Sequence, residues 1–322
     1  MEQRRVGHTG LTVSSLALGT MTWGRDTDVT DATEQMREFL DAGGSLVDTA
    51  AHYGDGDAEE VIGQIIGSLG CRDRLVICAK AGIRTDPAPH VDISRGFLLD
   101  SLDRTLANLG TDHVDVWAVQ HFDPTIRVEE TVSALEHAVR TGRARYVGVS
   151  NYPAWALAEI ACHLQQHGLS LAVHEAEYSL LNRRLEGEVV DATTHFGAGV
   201  FAWSPLARGV LTGKYRTHTP PDSRAATEHL GGFVSPYLDP RYAGIVEAVA
   251  TAADGLGMSA GQVALAWVRD APGITSALLG ARTPGQLTQL LEVADFQLPH
   301  QIRKALDDSS AAAAGGSRST IR

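Results

Sequence analysis

The chain has 322 residues, 43% of them hydrophobic and 20% charged, a balance that fits a globular protein able to bury a core without staples. Acidic residues outnumber basic ones by 39 to 27, and the resulting charge of -12 argues against a nucleic-acid surface and against anionic membranes. Cys71, Cys78 and Cys162 form no CxxC spacing, which excludes a zinc knuckle and points to a reducing, cytoplasmic setting. No apolar run reaches the ~18 residues of a membrane span, and Met1-Glu2-Gln3-Arg4-Arg5 does not read as a signal peptide.

Taken in order, residues 4 to 19 open with two short β-like runs around Thr9-Gly10, the pattern of a hairpin, and continue into a buried strand from Ser14 to Gly19. Thr30-Asp31 precedes a helical stretch, Ala32 to Ala42, that stops at Gly43-Gly44. Strand-like runs follow at 46–48, 75–79, 114–119, 144–149, 171–177, 200–203 and 276–279. Helix-like runs lie between them at 58–68, 94–109, 128–141, 155–167, 185–195, 242–256 with 259–270, and 284–291. Many strands are apolar on successive residues, as parallel strands covered on both faces are. Eight β/α units in one chain of this length predict a closed (β/α)8 barrel. Two segments, Arg84–Ile93 and Arg208–Leu238, are long, rich in Pro or Gly, and expected to be functional loops at the C-terminal face. Residues 1–308 are expected to form one domain, and the Ala/Gly/Ser-rich stretch 309–322 a disordered tail.

Asp48 closes one of these strands, and Tyr53 follows five residues later in Asp48-Thr49-Ala50-Ala51-His52-Tyr53-Gly54. A carboxylate at the C-terminal end of a barrel strand reads as chemistry more readily than as packing. Lys80 ends the next strand. A Tyr hydroxyl has an ordinary pKa of about 10, and a nearby ammonium stabilises its phenolate and brings that value down. A plain buried Asp–Lys pair bridging two strands is the competing interpretation of these residues.

The motifs around this trio resemble those of the aldo-keto reductases. The resemblance rests on the opening hairpin, Asp48 to Gly54, Lys80, Gly148-Val149-Ser150-Asn151, Glu177-Tyr178-Ser179-Leu180-Leu181-Asn182-Arg183, the run from Trp203 to Tyr215, and Gly280 to Leu287. They come in the family's order and run from about residue 4 to about residue 292. The branch they resemble most contains bacterial general aldo-keto reductases and the potassium-channel β-subunits. The resemblance implies an NADP(H)-dependent oxidoreductase that passes hydride from the nicotinamide to an aldehyde or ketone. Tyr53 would be the general acid, Lys80 its tuner and Asp48 the group that orients Lys80.

The family's usual fourth catalytic residue is a His. Here Gln120 falls on that column, and His121 comes one residue late. A one-residue shift in a strand turns a side chain to the other face. So a local bulge could bring His121 into the site, or Gln120 could supply an amide donor while His121 points elsewhere.

For the cofactor, the resemblance implies Thr20, Met21 and Asp48 at the barrel mouth, with Ser150, Asn151 and Glu175 on the nicotinamide carboxamide. Glu175 stands where the family usually has Gln. Trp203 would stack on the ring. Ser204, Pro205, Leu206, Arg208, Gly209 and Lys214 would wrap the pyrophosphate. Gly280 and Arg282 lead into the last helix, whose N-terminus favours phosphate. Arg282 would grip the 2′-phosphate, and Gln286 and Gln289 would face the adenine. NADPH is therefore the expected cofactor, bound without a Rossmann motif.

Trp23, His52, Tyr53, His121 and Phe122 are expected to rim the substrate pocket. No metal site is expected, since His163 and His167 lack an accompanying carboxylate motif. Two alternatives stay open: a nucleotide-bound regulatory subunit with vestigial redox activity, and a biosynthetic reductase of enones or sugar nucleotides. The expected partner is a small carbonyl compound, with monomer and homo-oligomer both open.

Overall fold

A computed structural model describes residues 1–311. Strands β1 (Gln3–Arg5) and β2 (Thr12–Ser14) form the N-terminal antiparallel hairpin. The chain then runs through β3 (Leu16–Gly19), α1 (Val29–Asp41), β4 (Leu46–Asp48), α2 (Asp57–Leu69) and β5 (Val76–Ala81). A two-residue ribbon, β6 (Ile83–Arg84) with β7 (His90–Val91), precedes α3 (Arg95–Leu109). Next come β8 (Val114–Val119), α4 (Val128–Arg140), β9 (Ala144–Ser150), α5 (Ala154–Gln166), β10 (Leu171–Glu177), α6 (Glu188–Phe196) and β11 (Gly199–Trp203). The described part ends with α7 (Glu228–Val234), α8 (Ala243–Leu256), α9 (Ala260–Arg269), β12 (Ile274–Leu279), α10 (Pro284–Leu291) and α11 (His300–Ser309).

Strands β3, β4, β5, β8, β9, β10, β11 and β12 close into one barrel, and each pairs with its neighbours in parallel. The expected (β/α)8 barrel with its hairpin is what the chain forms. Successive strand side chains point to opposite faces, so each strand feeds two cores. Ala17, Leu46, Cys78, Val116, Val173 and Phe201 fill the barrel interior, while Leu16, Val47, Ile77, Trp117, Val200 and Ala202 pack under the helices. Both sets are buried, which is why the strands read as continuous apolar runs. Val6 and Val13 of the hairpin pack into the interior cluster and close the barrel's N-terminal end. Gly7 makes this possible: with φ +52 it is left-handed, and a Cβ there would lie 2.0 Å from the Gly197 carbonyl oxygen.

Several boundaries differ from the sequence expectation. Ser14 belongs to the hairpin rather than to the first barrel strand. Helix α1 starts earlier, because the Asp28 side chain accepts from the Thr30 and Asp31 N–H groups and caps it. The Arg208–Leu238 segment is not a bare loop: it holds short 3-10 turns and α7. The disordered tail expected from Ser309 does not start there. Ser309 ends α11, and Ser310 is fully buried, its hydroxyl accepting from Arg183 Nη1 at 2.9 Å. The rest of that stretch, 312–322, lies outside the described residues. Among the described residues no helix is long and apolar enough to cross a membrane.

Candidate active site

Strand parity places the chemistry. Leu46 and Cys78 face the interior, so Asp48 and Lys80, two residues on, do too, one layer nearer the C-terminal mouth. By the same count Val173 leads to Glu175 and Phe201 to Trp203. The β4 end is pinned: the Thr20 N–H and hydroxyl both donate to the Asp48 carbonyl (3.0 and 2.9 Å), and Ala51 N–H donates to the Lys80 carbonyl at 2.9 Å.

The Lys80 ammonium donates to Asp48 Oδ1 in a short ion pair. Glu175 Oε2 lies 3.2 Å away on its other side, in charge contact but without an aligned hydrogen bond. All three side chains are at most 3% exposed. Burial acts to lower the Lys80 pKa, yet the two carboxylates outweigh it and hold the ammonium well above its ordinary value. Burial raises Asp48, with Lys80 opposing. Burial and the nearby Asp48 charge push the Glu175 carboxyl up to about 8. Cys78 lies against the same carboxylates, but the cation at their centre is the Lys80 ammonium.

Tyr53 begins a short turn in which Gly54, Asp55 and Gly56 all have positive φ, so the chain swings from the strand end into α2 and leaves the Tyr53 ring over the site. The Lys80 ammonium is 5.5 Å from the ring centroid. The expected lowering of the phenol is reversed. Burial raises it above its ordinary value, Lys80 opposes, and the Asp48 and Glu175 charges reinforce burial. His52 packs edge-on against Tyr53, with ring centroids 4.8 Å apart. Burial, then the positive charge of Lys80 and His121, brings His52 down to about 4.

One cavity of about 780 Å³ collects the rest, within the range of small-molecule and cofactor sites. Gln120 and His121 both line it. The β8 ladder is regular to Val119, so no bulge is needed: Gln120 keeps the inward parity, and His121 lies beyond the ladder, where alternation no longer binds it. The Gln120 Oε1 is buried without a donor. Asn151, left-handed at φ 60, donates through Nδ2 to the Gln120 carbonyl and to Ser150 Oγ, both at 3.0 Å, and accepts from Trp203 Nε1 at 3.2 Å. This network fixes Trp203 at the barrel mouth.

The chain after Trp203 is strained. Ser204, Ala207 and Arg208 have positive φ without being glycine, a conformation that costs about 1–2 kcal/mol per residue and concentrates at ligand clamps. Arg208 lines the cavity, but its guanidinium is committed elsewhere: it grips both Glu177 oxygens (3.0 Å each) and sits 3.9 Å from the Phe233 ring centroid. It anchors the Arg208–Leu238 strap.

At the far end, Lys214, Arg224 and Arg282 face one another across the cavity. Burial, then repulsion by Arg282, lowers Arg224, while burial lowers Lys214 with further repulsion from both arginines. Among the described residues none of the three forms a salt bridge. Arg224 donates to the Gly280 carbonyl at 2.7 Å and Arg282 to the Asp222 carbonyl. Gln286 accepts from the Arg282 N–H at 3.0 Å, and Gln289 also lines the cavity. Thr20 and Met21, Pro205 and Leu206, and Gly209 and Gly280 complete the walls. Three cations without a salt-bridged carboxylate stand together here in a chain of charge -12, a chemistry suited to anionic groups.

Two expected pocket residues lie elsewhere. Trp23 is fully buried in the core, its Nε1 donating to Gln35 Oε1 at 3.3 Å, because the turn after β3 points it under α1. Phe122 packs against Tyr152 and Trp155, with centroids 5.3 and 5.0 Å away, and does not line the cavity. Arg224 was not foreseen: a lone Arg in an irregular, Pro-rich segment has no periodicity to show where it lands.

The sequence is similar to those of known proteins. The aldo/keto reductase family model matches residues 15–311. The L-glyceraldehyde 3-phosphate reductase of Escherichia coli (strain K12) is 34% identical over 298 residues, covering 90% of this chain and 86% of that protein. A probable voltage-gated potassium channel subunit beta of Oryza sativa subsp. japonica is 33% identical over 302 residues, 92% of each chain. The aldo-keto reductase YhdN of Bacillus subtilis (strain 168) is 28% identical over 315 residues, 95% of this chain and 93% of that one. A barrel with a buried Asp–Lys pair under a Tyr, aligned along nearly its full length with such relatives, is an oxidoreductase acting on carbonyls: the chain belongs to the aldo/keto reductase family.

Proposed function

We propose that the protein reduces an aldehyde or ketone with NADPH. The observation that carries this reading is a single cavity with three unpaired cations at one end and the Tyr53–Lys80–Asp48 set at the other. The residues fit the cofactor: Lys214, Arg224 and Arg282 suit its phosphates, the strained turn from Ser204 to Gly209 suits close backbone approach, and Trp203 offers a flat face for the ring. When bound, a reduced nicotinamide supplies the hydride. The chain supplies the rest. Tyr53, held protonated through the neutral range by burial, gives its proton to the carbonyl oxygen, and Lys80 stabilises the phenolate left behind. Asp48 keeps the ammonium charged and in place. His52, neutral because its pKa is near 4, adds no competing charge.

The cation trio is the accessible test. Arg282→Ala and Arg224→Ala are expected to weaken NADPH binding by about tenfold or more each and NADH binding far less, since a charged hydrogen bond contributes about 1.5–3 kcal/mol. Fluorescence titration of both cofactors decides it; equal losses for NADH and NADPH would sink the 2′-phosphate assignment. L-glyceraldehyde 3-phosphate, named for one relative, is the first aldehyde to screen. Gln120 favours a second reading, a nucleotide-bound regulatory subunit like the channel β-subunit relatives, because an amide cannot share in acid catalysis as a His can. NADPH binding without turnover over a broad screen of carbonyls and enones would favour that reading.

A further inference from the structure

Lys80 is one cation held between two carboxylates. Asp48 has the short, aligned contact, whereas Glu175 Oε2 has charge contact at 3.2 Å and no donor. The two carboxyl groups offer oxygens within 4.8 Å of each other, in a layer of the barrel that is almost fully buried. Two like charges this close and this dry cannot both be held by a single ammonium. A proton on the pair relieves this repulsion, and Glu175, whose Oε2 lacks an aligned donor, is a better place for it than Asp48, which Lys80 already holds.

We propose that Glu175 is a positioning residue that carries a proton in the active enzyme, so that it acts as a neutral donor–acceptor like an amide, and that its ionisation shuts the site down from the alkaline side. Glu175 acts through Lys80 and Tyr53. While it is neutral, Asp48 alone balances the ammonium, and the remaining field of Lys80 supports the Tyr53 phenolate. Once it ionises, a second negative charge faces Tyr53 and opposes proton release to the carbonyl. The charged and titratable groups around it are Asp48 from β4, Tyr53 from the loop after β4, and Cys78 and Lys80 from β5. Its ladder neighbours on β9 and β11, Ser150 and Phe201, bring no charge. A carboxyl pushed up to about 8 places the transition just above neutrality. In a barrel of this family an amide would give the same hydrogen-bonding capacity with no titration.

This inference rests on the NADPH-dependent reading, and the test separates the two. Carbonyl reduction by the wild-type protein is expected to fall about tenfold per pH unit above the transition. Glu175→Gln is expected to move that fall upward by at least about one pH unit, whatever its activity at neutral pH. NADPH affinity, followed by fluorescence, is expected to weaken above pH ~8 in the wild type and to stay flat in Glu175→Gln. The proton itself is read by infrared spectroscopy at neutral pH, as a protonated-carboxyl band lost in Glu175→Gln; Glu59→Gln removes the other buried glutamate raised to about 7. Superimposable pH profiles for wild type and Glu175→Gln, or no such band, would overturn the proposal. A wild type that binds and oxidises no NADPH at any pH would instead overturn the functional reading, and the infrared band would still decide where the proton sits.

Discussion

At the scale of single residues, parity along a strand does most of the placing. The residue two after an interior apolar position ends up in the site, which is how Asp48, Lys80, Glu175 and Trp203 come to face each other. The alternate parity gives His174, whose ring is 1% exposed near the Tyr152 backbone with neither nitrogen making an aligned hydrogen bond. Burial brings it down to about 4 from 6.5. A depressed value means the unfolded chain takes the proton first as pH falls. Stability is therefore complete above about 6.5 and is lost down through about 4, with His52 acting in the same window. His174→Leu is expected to recover about 2 kcal/mol relative to wild type near pH ~5 and little at pH ~8. Urea denaturation at both pH values checks it; an equal effect at the two would refute the assignment. Asp48 and Tyr53 were legible as sequence because they share one short run, and Lys80 because it closes an apolar run. Tyr53's raised pKa was not, since it depends on burial and on Glu175, which is more than a hundred residues away along the chain.

At the scale of elements, the segment from Ala207 to Leu238 is tied to the barrel at several separate points. Arg208 grips Glu177 on β10, Arg224 donates to Gly280 after β12, Arg282 donates back to Asp222, and His229 meets Asp26, beyond β3, at 3.0 Å. It is thus a strap across the cavity mouth. Glu177→Gln halves the Arg208 clamp and is expected to speed NADPH release about tenfold with a smaller effect on association. Stopped-flow displacement measures it, and an unchanged release rate would argue that the strap is held elsewhere. Barrel strands and most helices could be foreseen because each has one strong period or a long apolar run. Helix α7 could not, being seven residues long within a Gly-rich segment. Helix α11 could not either, because most of its surface is polar. It is held by Trp267 Nε1 donating to Asp307 at 2.8 Å and by Arg303 donating to the Trp267 carbonyl, contacts between segments far apart in sequence.

At the scale of the whole molecule, a chain of charge -12 holds a cationic recess, so the net charge that argues against a nucleic-acid surface says nothing about the cavity. The hairpin has a wider consequence. Val6 and Val13, both fully buried, pack into the interior cluster at the barrel's N-terminal end. Traffic is thereby confined to the C-terminal face, where the strap also lies. Under the NADPH-dependent reading, a dinucleotide seated beneath the strap must arrive before the carbonyl compound and leave after the alcohol, because the smaller partner would otherwise block its passage. The kinetics are therefore expected to show compulsory order: NADP+ should inhibit competitively against NADPH and noncompetitively against the carbonyl substrate. A random-order pattern would mean that the strap yields in every turnover, and that the plugged barrel does not impose a queue.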